Sequence, residues 1–552
     1  MTKNKMNYAK KSGDSYILAA SMGLIISLAM VGWIVVVILI KGLGFFWPRD
    51  TYFVQTNDGS SYLGESWAEK SDEIQIQSGE RVKRKQYQLK IGNRDVYGRD
   101  FVWLDAKDIE AENRPQLATT FERLEFGNFY GFIKVVHSGD KQFDSEHPDF
   151  LDEAYNAHDL ALDTKGEIED TRGEITSLTE PLTNLQREIA LLEISAESRT
   201  TAGQQKLEVL RKTAEETELN IAEEYQALNK KLEELLLKDH AIYLTVETAE
   251  GKSREIHLSH VVRFFQPNDM GVLAKSWHYA GKLWEFVADD PRESNTEGGV
   301  FPAIFGTVLM VLLMSIAVVP FGVMAAIYLN EYAKQGPLVR FIRLSVNNLA
   351  GVPSIVFGVF GLGFFIYVIG ASIDQILFSD KLPEPTFGTG GILWASLTLA
   401  LLTLPVVVVA TEEGLLAVPR ANKEGALALG STRWQMIRKV VLPNAMPGIL
   451  TGLILAISRG AGEVAPLMIT GVVKLAPTMP LDAAFPFLHL DRKFMHLGFH
   501  IYDVGFQSPN VEAAKPMVYS TALLLIVLVI LLNIVAIYFR NRLRKRYKTS
   551  TF

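Results

Sequence analysis

Apolar residues are gathered into a few long runs rather than spread evenly along the chain. About 20 consecutive apolar residues cross a hydrocarbon core, and six stretches reach that length: 16–40, 301–329, 344–370, 391–411, 446–470 and 517–539. The pattern predicts an integral membrane protein whose polytopic core is all-α, with six transmembrane helices. The first run, Tyr16 to Ile40, is longer than a signal-peptide core and lacks a small-x-small cleavage site, so it reads as a retained helix.

Between 41 and 299 the pattern turns polar and its periods change. Ile168, Ile175, Leu178, Leu182, Leu185, Ile189 and Leu192 step by seven, three and four; Leu207, Leu210, Ala214, Ile221, Leu228 and Leu235 follow after a polar break at 195–205. This spacing predicts an antiparallel coiled-coil hairpin over 152–238, with arms at 152–194 and 204–238. Pro181 falls inside the first arm, and an interior proline costs about 3 kcal/mol, so a kink or a start near Pro181 is expected. Alternating stretches at 85–91, 131–136, 241–248 and 254–259 read as strands, the last two joined by a turn at Ala249–Lys252. The segment is therefore an α/β insertion, a β-rich base carrying a helical hairpin. The resulting divisions are 1–40, 41–299, 300–540 and a basic tail at 541–552.

Lys and Arg beside the short connections set orientation. Lys3, Lys5, Lys10 and Lys11 precede the first run; Lys334, Arg340 and Arg343 lie in the 330–343 loop; Arg420, Lys423, Arg433, Arg438 and Lys439 follow the fourth run; Arg540, Arg542, Arg544, Lys545, Arg546 and Lys548 close the chain. These groups alternate as six spans with both termini inside require, which puts 41–299, 371–390 and 471–516 outside. Net charge −7 averages a basic inner face and an acidic outer segment, so it gives no reason to expect nucleic acid. The absence of cysteine excludes disulfides and thiol chemistry. No G-x-x-x-x-G-K-[ST] occurs, so no P-loop binds ATP. His496 and His500 stand four apart without a third ligand nearby, too few for zinc.

The stretch 411–443 reads as a docking element: a short basic amphipathic helix, a turn at Gly430, a second short helix and a proline stop at Pro443. Its Glu424-Gly425-Ala426, Gly430, Arg433 and Val440-x-Leu442-Pro443 resemble the EAA loop of ABC-importer permeases, with Gly425 replacing the usual first alanine and Val440 the usual isoleucine. In that family the loop forms a coupling helix seated in a cleft of the ATPase. Asn347-Asn348-Leu349-Ala350-Gly351-Val352-Pro353-Ser354, Leu404-Pro405, Glu412-Glu413 and Ser458-Arg459-Gly460-Ala461-Gly462-Glu463-Val464-Ala465-Pro466 narrow this to the phosphate-importer permeases of the PstA type. The resemblance is strong over 300–470; the insertion departs from it.

It implies several partners: ABC ATPase subunits that hold the ATP and magnesium, a second permease, a periplasmic phosphate-binding protein, a sensor-kinase signalling system and membrane lipid. This chain would bind no cofactor itself and would lie in a bacterial inner membrane. The residues also speak for themselves. Gly351 and Pro353 predict a helix break, because proline removes a hydrogen bond and turns its predecessor away from helical geometry. Arg459 and Glu463, four apart and expected deep in the fifth run on one helical face, are charges that mark a pathway. Arginine forks onto phosphate, and Glu463 could accept the proton of monohydrogen phosphate. Small residues Gly460, Ala461 and Gly462 would admit a second subunit's helix. Mid-membrane arginine does not itself choose between phosphate, sulfate and molybdate, and the external hairpin leaves a signalling or scaffolding protein as an alternative.

Overall fold

The computed structural model describes residues 14–75, 81–194, 196–292, 295–483, 485–508 and 510–548. The basic group at Lys3–Lys11 lies outside them. Two compact units emerge: 47–282, and a second composed of 1–46 with 283–552.

In the unit 47–282, local hydrogen-bond demand is met by antiparallel strands. Strands β1 (Thr51–Thr56), β2 (Ser61–Gln75), β3 (Arg81–Lys90), β4 (Phe101–Asp105) and β5 (Ile109–Asn113) form one sheet in the order β4-β3-β2-β1-β5. Strands β6 (Thr119–Arg123), β7 (Phe129–Ser138), β8 (Lys141–Asp144), β9 (Ile242–Glu247), β10 (Ser253–His257) and β11 (Val261–Phe265) form another, ordered β10-β9-β7-β6-β11 with β8 beside β7. β9 and β10 turn at Gly251, whose φ of +78° suits the residue without a Cβ.

Between β8 and β9 the chain leaves as two long helices, Phe150–Ile194 and Thr201–His240, packed on one another. Their heptad positions are buried or half-buried, with Ile168, Leu192, Ala214 and Leu235 the most enclosed. The first helix continues through Pro181 instead of starting there. Its root packs on the second sheet through Ala154, Ala157 and Ala161, whose small side chains admit Phe121, Leu244 and Phe264.

Among the described residues the second unit holds six helices long and apolar enough to span a membrane: Tyr16–Gly44, Phe301–Tyr332, Ser354–Leu377, Ile392–Leu416, Arg433–Gly460 and Val511–Leu543. The fourth is the hub, with 67% of its central window buried against 0% for the first and sixth. It contacts the second along Met310, Met314, Leu399 and Leu402, and the fifth along Val408, Ala445 and Ile449. Helices alone do not describe the chain: beyond the two sheets, Pro291–Arg292 pairs with Glu297–Gly298.

Two expected bounds are corrected. The third span begins at Ser354, because 337–349 is a separate amphipathic helix. The fifth ends at Gly460 instead of running to 470: Gly460, Gly462 and Pro466 cannot sustain a helix through 461–466, and only a short turn of helix, Leu467–Thr470, follows.

Candidate functional site

The docking stretch builds itself from local signals. Helix Arg420–Ala428 ends in a Schellman motif: Ser431 N–H donates to Ala426 O at 3.2 Å and Gly430 N–H to Leu427 O at 3.0 Å, with Gly430 at φ +82°. Thr432 and Gln435 then cap each other across the start of the next turn, Arg433–Met436. Glu424, Gly425 and Arg433 are exposed, Ala426 half-buried, and Leu429 is 90% exposed at the apex beside Trp434. Pro443 does not stop the helix. A π-helical turn at Ile437–Val441 runs into helix Leu442–Gly460, so Leu442 and Pro443 open its regular part directly after a widened turn, which accommodates the hydrogen bond that proline cannot donate. The docking stretch is thus continuous with the fifth span.

Four charges near it pair within the chain. Lys423 Nζ lies 2.6 Å from Glu331 Oε1, and Arg343 Nε lies 3.2 Å from Glu412 Oε1. The available signal is that Glu331 and Glu412 are carboxylates at the ends of apolar runs in an otherwise basic region.

The third span opens after a break. Helix Pro337–Leu349 ends in turns at Ala350 and Gly351, and Pro353 is extended with ψ 134° before helical geometry resumes at Ser354. Arg459 sits in the last helical turn of the fifth span, where the helix dipole favours a cation. Glu463 is not on the same helical face: it lies beyond the helix end and returns through a turn in which Gly462 N–H donates to Arg459 O at 3.2 Å. The side chains still meet, Arg459 Nε and Glu463 Oε1 standing 3.6 Å apart with 31% and 23% of their side-chain surfaces exposed. Among the described residues the Arg459 guanidinium makes no hydrogen bond, so its donor fork is open to a ligand. A Cβ on Gly460 would stand 2.6 Å from Met314 Sδ, which sets Arg459 level with the middle of the second span. Gly460 and Ala461 are consumed by this packing within the chain and offer no close approach to a second subunit; Gly462 is exposed. Ser458 Oγ donates to Asn533 Oδ1 at 2.9 Å and ties the site to the sixth span.

Between the fifth and sixth spans, His496 and His500 are enclosed. His496 Nδ1 accepts the N–H of Gly498 at 3.1 Å, and His500 Nδ1 lies 3.3 Å from Thr521 Oγ1. Burial pushes His496 from the ordinary 6.5 to about 3; burial and then the Lys474 charge push His500 to about 4. The unfolded chain takes up protons near pH 6.5 and the folded one only near 4 and 3, so stability is full above 6.5 and is lost as pH falls toward 4. Between pH 6.5 and 5 the loss is roughly 2 kcal/mol per histidine. Thermal unfolding from pH 7.5 to 5 should show the apparent Tm dropping by several degrees, and His500→Gln should flatten the slope; equal slopes would refute the assignment.

With this geometry in view, the relatives are informative. The family described as "Binding-protein-dependent transport system inner membrane component" matches residues 318–549. The phosphate transport system permease protein PstA of Mycobacterium leprae is 36% identical over 244 residues, 44% of this chain and 71% of that protein. The PstA of Yersinia pestis is 34% identical over 251 residues, 46% of this chain and 75% of that one. A probable ABC transporter permease of Bacillus subtilis, YqgI, is 29% identical over 268 residues, 48% and 85%. Among solved structures, the inward-facing MetNI methionine ABC transporter aligns over 48% of this chain and 98% of its own at 19% identity and a TM-score of 0.33. Permeases of this kind work with ATPase subunits and a substrate-binding protein, and are not themselves enzymes. This chain belongs to the PstA-type permeases within the binding-protein-dependent transport system inner membrane components, and is a multi-pass transport subunit of an ABC importer.

Proposed function

We propose that the solute imported is inorganic phosphate. The observation that carries the reading is the open guanidinium of Arg459 beside Glu463 at the end of the fifth span, level with the middle of the second, in a chain whose relatives are named phosphate permeases. A monohydrogen phosphate offers both features a partner: two oxygens for the arginine fork and one hydroxyl proton for the carboxylate. Fully ionised sulfate has no proton to give Glu463 and would meet like charge.

In this reading both termini and 411–443 face the cytoplasm, as the basic groups beside the spans suggest. The apex at Leu429 and Trp434 enters an ATPase that holds ATP and magnesium; this chain binds no nucleotide. A second permease completes the path and a periplasmic phosphate-binding protein delivers the solute. Closure of the ATPases moves 420–443 and, through the continuous helix 433–460, shifts Arg459. The path then opens outward and returns inward after hydrolysis. The insertion, through its helical hairpin, serves interaction, with a phosphate-sensing kinase system or another external partner.

The test is uptake of labelled phosphate into proteoliposomes containing the co-purified complex, challenged with sulfate and molybdate. Phosphate alone should compete at equimolar concentration. Equal competition by sulfate or molybdate would replace phosphate by a broader oxyanion, and a purification lacking a P-loop ATPase would remove the importer assembly altogether. Deleting 152–238 should leave uptake in place and abolish capture of the external partner.

A further inference from the structure

At the docking stretch two charges, Glu331 and Lys423, pair within the chain. Glu331 lies on a π-helical turn, Tyr328–Tyr332, that ends the second span; Lys423 lies in the docking helix 92 residues later. Their side chains are 11% and 20% exposed and 2.6 Å apart. Asn330 Nδ2 donates to the same oxygen, Glu331 Oε1, at 3.1 Å. Around them Leu329, Val339, Leu415, Val418, Met436 and Ile437 form a buried apolar cluster. An ion pair so enclosed is weakly screened by salt and stiffer than a surface pair.

A second strut braces the same turn. Arg343, on helix Pro337–Leu349, reaches Glu412 on the fourth span and also donates from Nη2 to Leu329 O at 3.3 Å and from Nη1 to Gln335 Oε1 at 3.1 Å. Gln335 Nε2 in turn donates to Leu329 O at 3.1 Å. The end of the second span is therefore held to the docking helix by an ion pair, and by hydrogen bonds at Leu329 O to Arg343, which is itself paired with Glu412 on the fourth span.

We propose that Lys423 and Glu331 are positioning residues that transmit displacement of the docking helix to the second span, making hydrolysis in the ATPase do transport. The covalent path runs from the docking helix into the fourth and fifth spans on either side of it; the second span has no covalent neighbour in the docking stretch and packs on the fourth span and, through Met314, on Arg459's neighbour Gly460. The ion pair adds a direct contact between the second span and the docking helix. Coupling is a free energy between sites carried by physical contacts, and this contact joins the two elements that must move together. The proposal rests on 411–443 being the ATPase-docking stretch.

The whole importer, reconstituted in proteoliposomes with its binding protein, tests it by ATP hydrolysed per solute imported. Lys423→Met and Glu331→Gln should still co-purify with ATPase and hydrolyse ATP, while ATP consumed per solute rises about tenfold, within the range that coupling contacts command. The exchange Glu331→Lys with Lys423→Glu, and Lys423→Arg alone, should return the ratio to within about threefold of the parent. Single variants with the parental ratio would overturn the strut, and so would an exchange that fails to rescue. Should the single variants assemble poorly, the cysteine-free chain permits a second measurement: Glu331→Cys with Lys423→Cys, bridged by a short bifunctional thiol reagent, should keep transport. Loss of transport on bridging, with hydrolysis intact, would overturn the proposal. A parent complex without bound ATPase would instead refute the docking reading.

Discussion

Uptake falls by about a hundredfold or more when Arg459 becomes Gln, with the permease still folded and the ATPase still bound. Removing one charge-assisted fork costs about 3 kcal/mol, and each 1.4 kcal/mol is tenfold. The loss belongs to function because Arg459 holds little of the fold: among the described residues its one charged partner is Glu463 at 3.6 Å, beyond hydrogen-bond range, whereas its neighbours carry the packing, Gly460 against Met314 and Ser458 against Asn533. Arg459→Lys should fail nearly as badly, since an ammonium is a point charge that cannot present two parallel donors. Glu463→Gln should behave differently. Its amide can donate to a fully ionised anion, so phosphate uptake should fall while sulfate competition rises. The measurement is initial-rate uptake of labelled phosphate at saturating binding protein, alongside melting of the solubilised complex; parental uptake by Arg459→Gln would end the pathway assignment.

Sequence reading reached the parts of this chain whose information is local. Six apolar runs became six spans, Gly430 became the left-handed end of a helix, and Gly351-Val-Pro353 became a non-helical break, because each follows from side-chain volume, a missing Cβ or a missing N–H. The heptads at 168–192 and 207–235 lie on the packed side of two helices for the same reason. Hydropathy could not locate the end of the fifth span, since Val464, Ala465, Leu467 and Ile469 extend the apolar run past the helix; the glycines and Pro466 carried that signal. Pro443 misled in the opposite direction, as a proline that closes one helix and a proline that opens the next look alike without the backbone.

Long-range pairing was beyond reach. Nothing near Lys423 in the sequence points to Glu331, and β6 finds β11 across about 140 residues that include the whole hairpin. The candidate site was half legible. Its residue types and spacing were readable, but not that Glu463 reaches Arg459 around a helix end, nor that Gly460 is spent on Met314.

Gly448→Val should strongly destabilise the permease unit. The fourth and fifth spans cross there with backbones in contact: a Cβ on Gly448 would stand 2.6 Å from Gly414 Cα and 3.2 Å from Ala410 O, and a Cβ on Gly414 would stand 3.0 Å from Ala445 O. No flexible side chain is available to give way, so the helices themselves must separate. Overpacking costs typically 1–3 kcal/mol, and a backbone contact puts this site at or above the upper figure. For a unit of this size that corresponds to an apparent Tm lower by roughly 5–10 °C. Gly425→Ala provides the contrast, because no atom lies within 4 Å of its added methyl and alanine suits a helix interior better by up to about 1 kcal/mol. Heating the solubilised permease and following the monodisperse fraction by size exclusion separates the two variants; an unshifted Gly448→Val would show that this crossing tolerates displacement. The consequence extends to coupling, since 417–432 hangs between these two spans and Lys423 can meet Glu331 only if their crossing fixes where both ends of the loop emerge. A Gly448→Val permease rescued by lower temperature should therefore still import poorly, with ATP hydrolysed per solute raised in the same direction as for Lys423→Met.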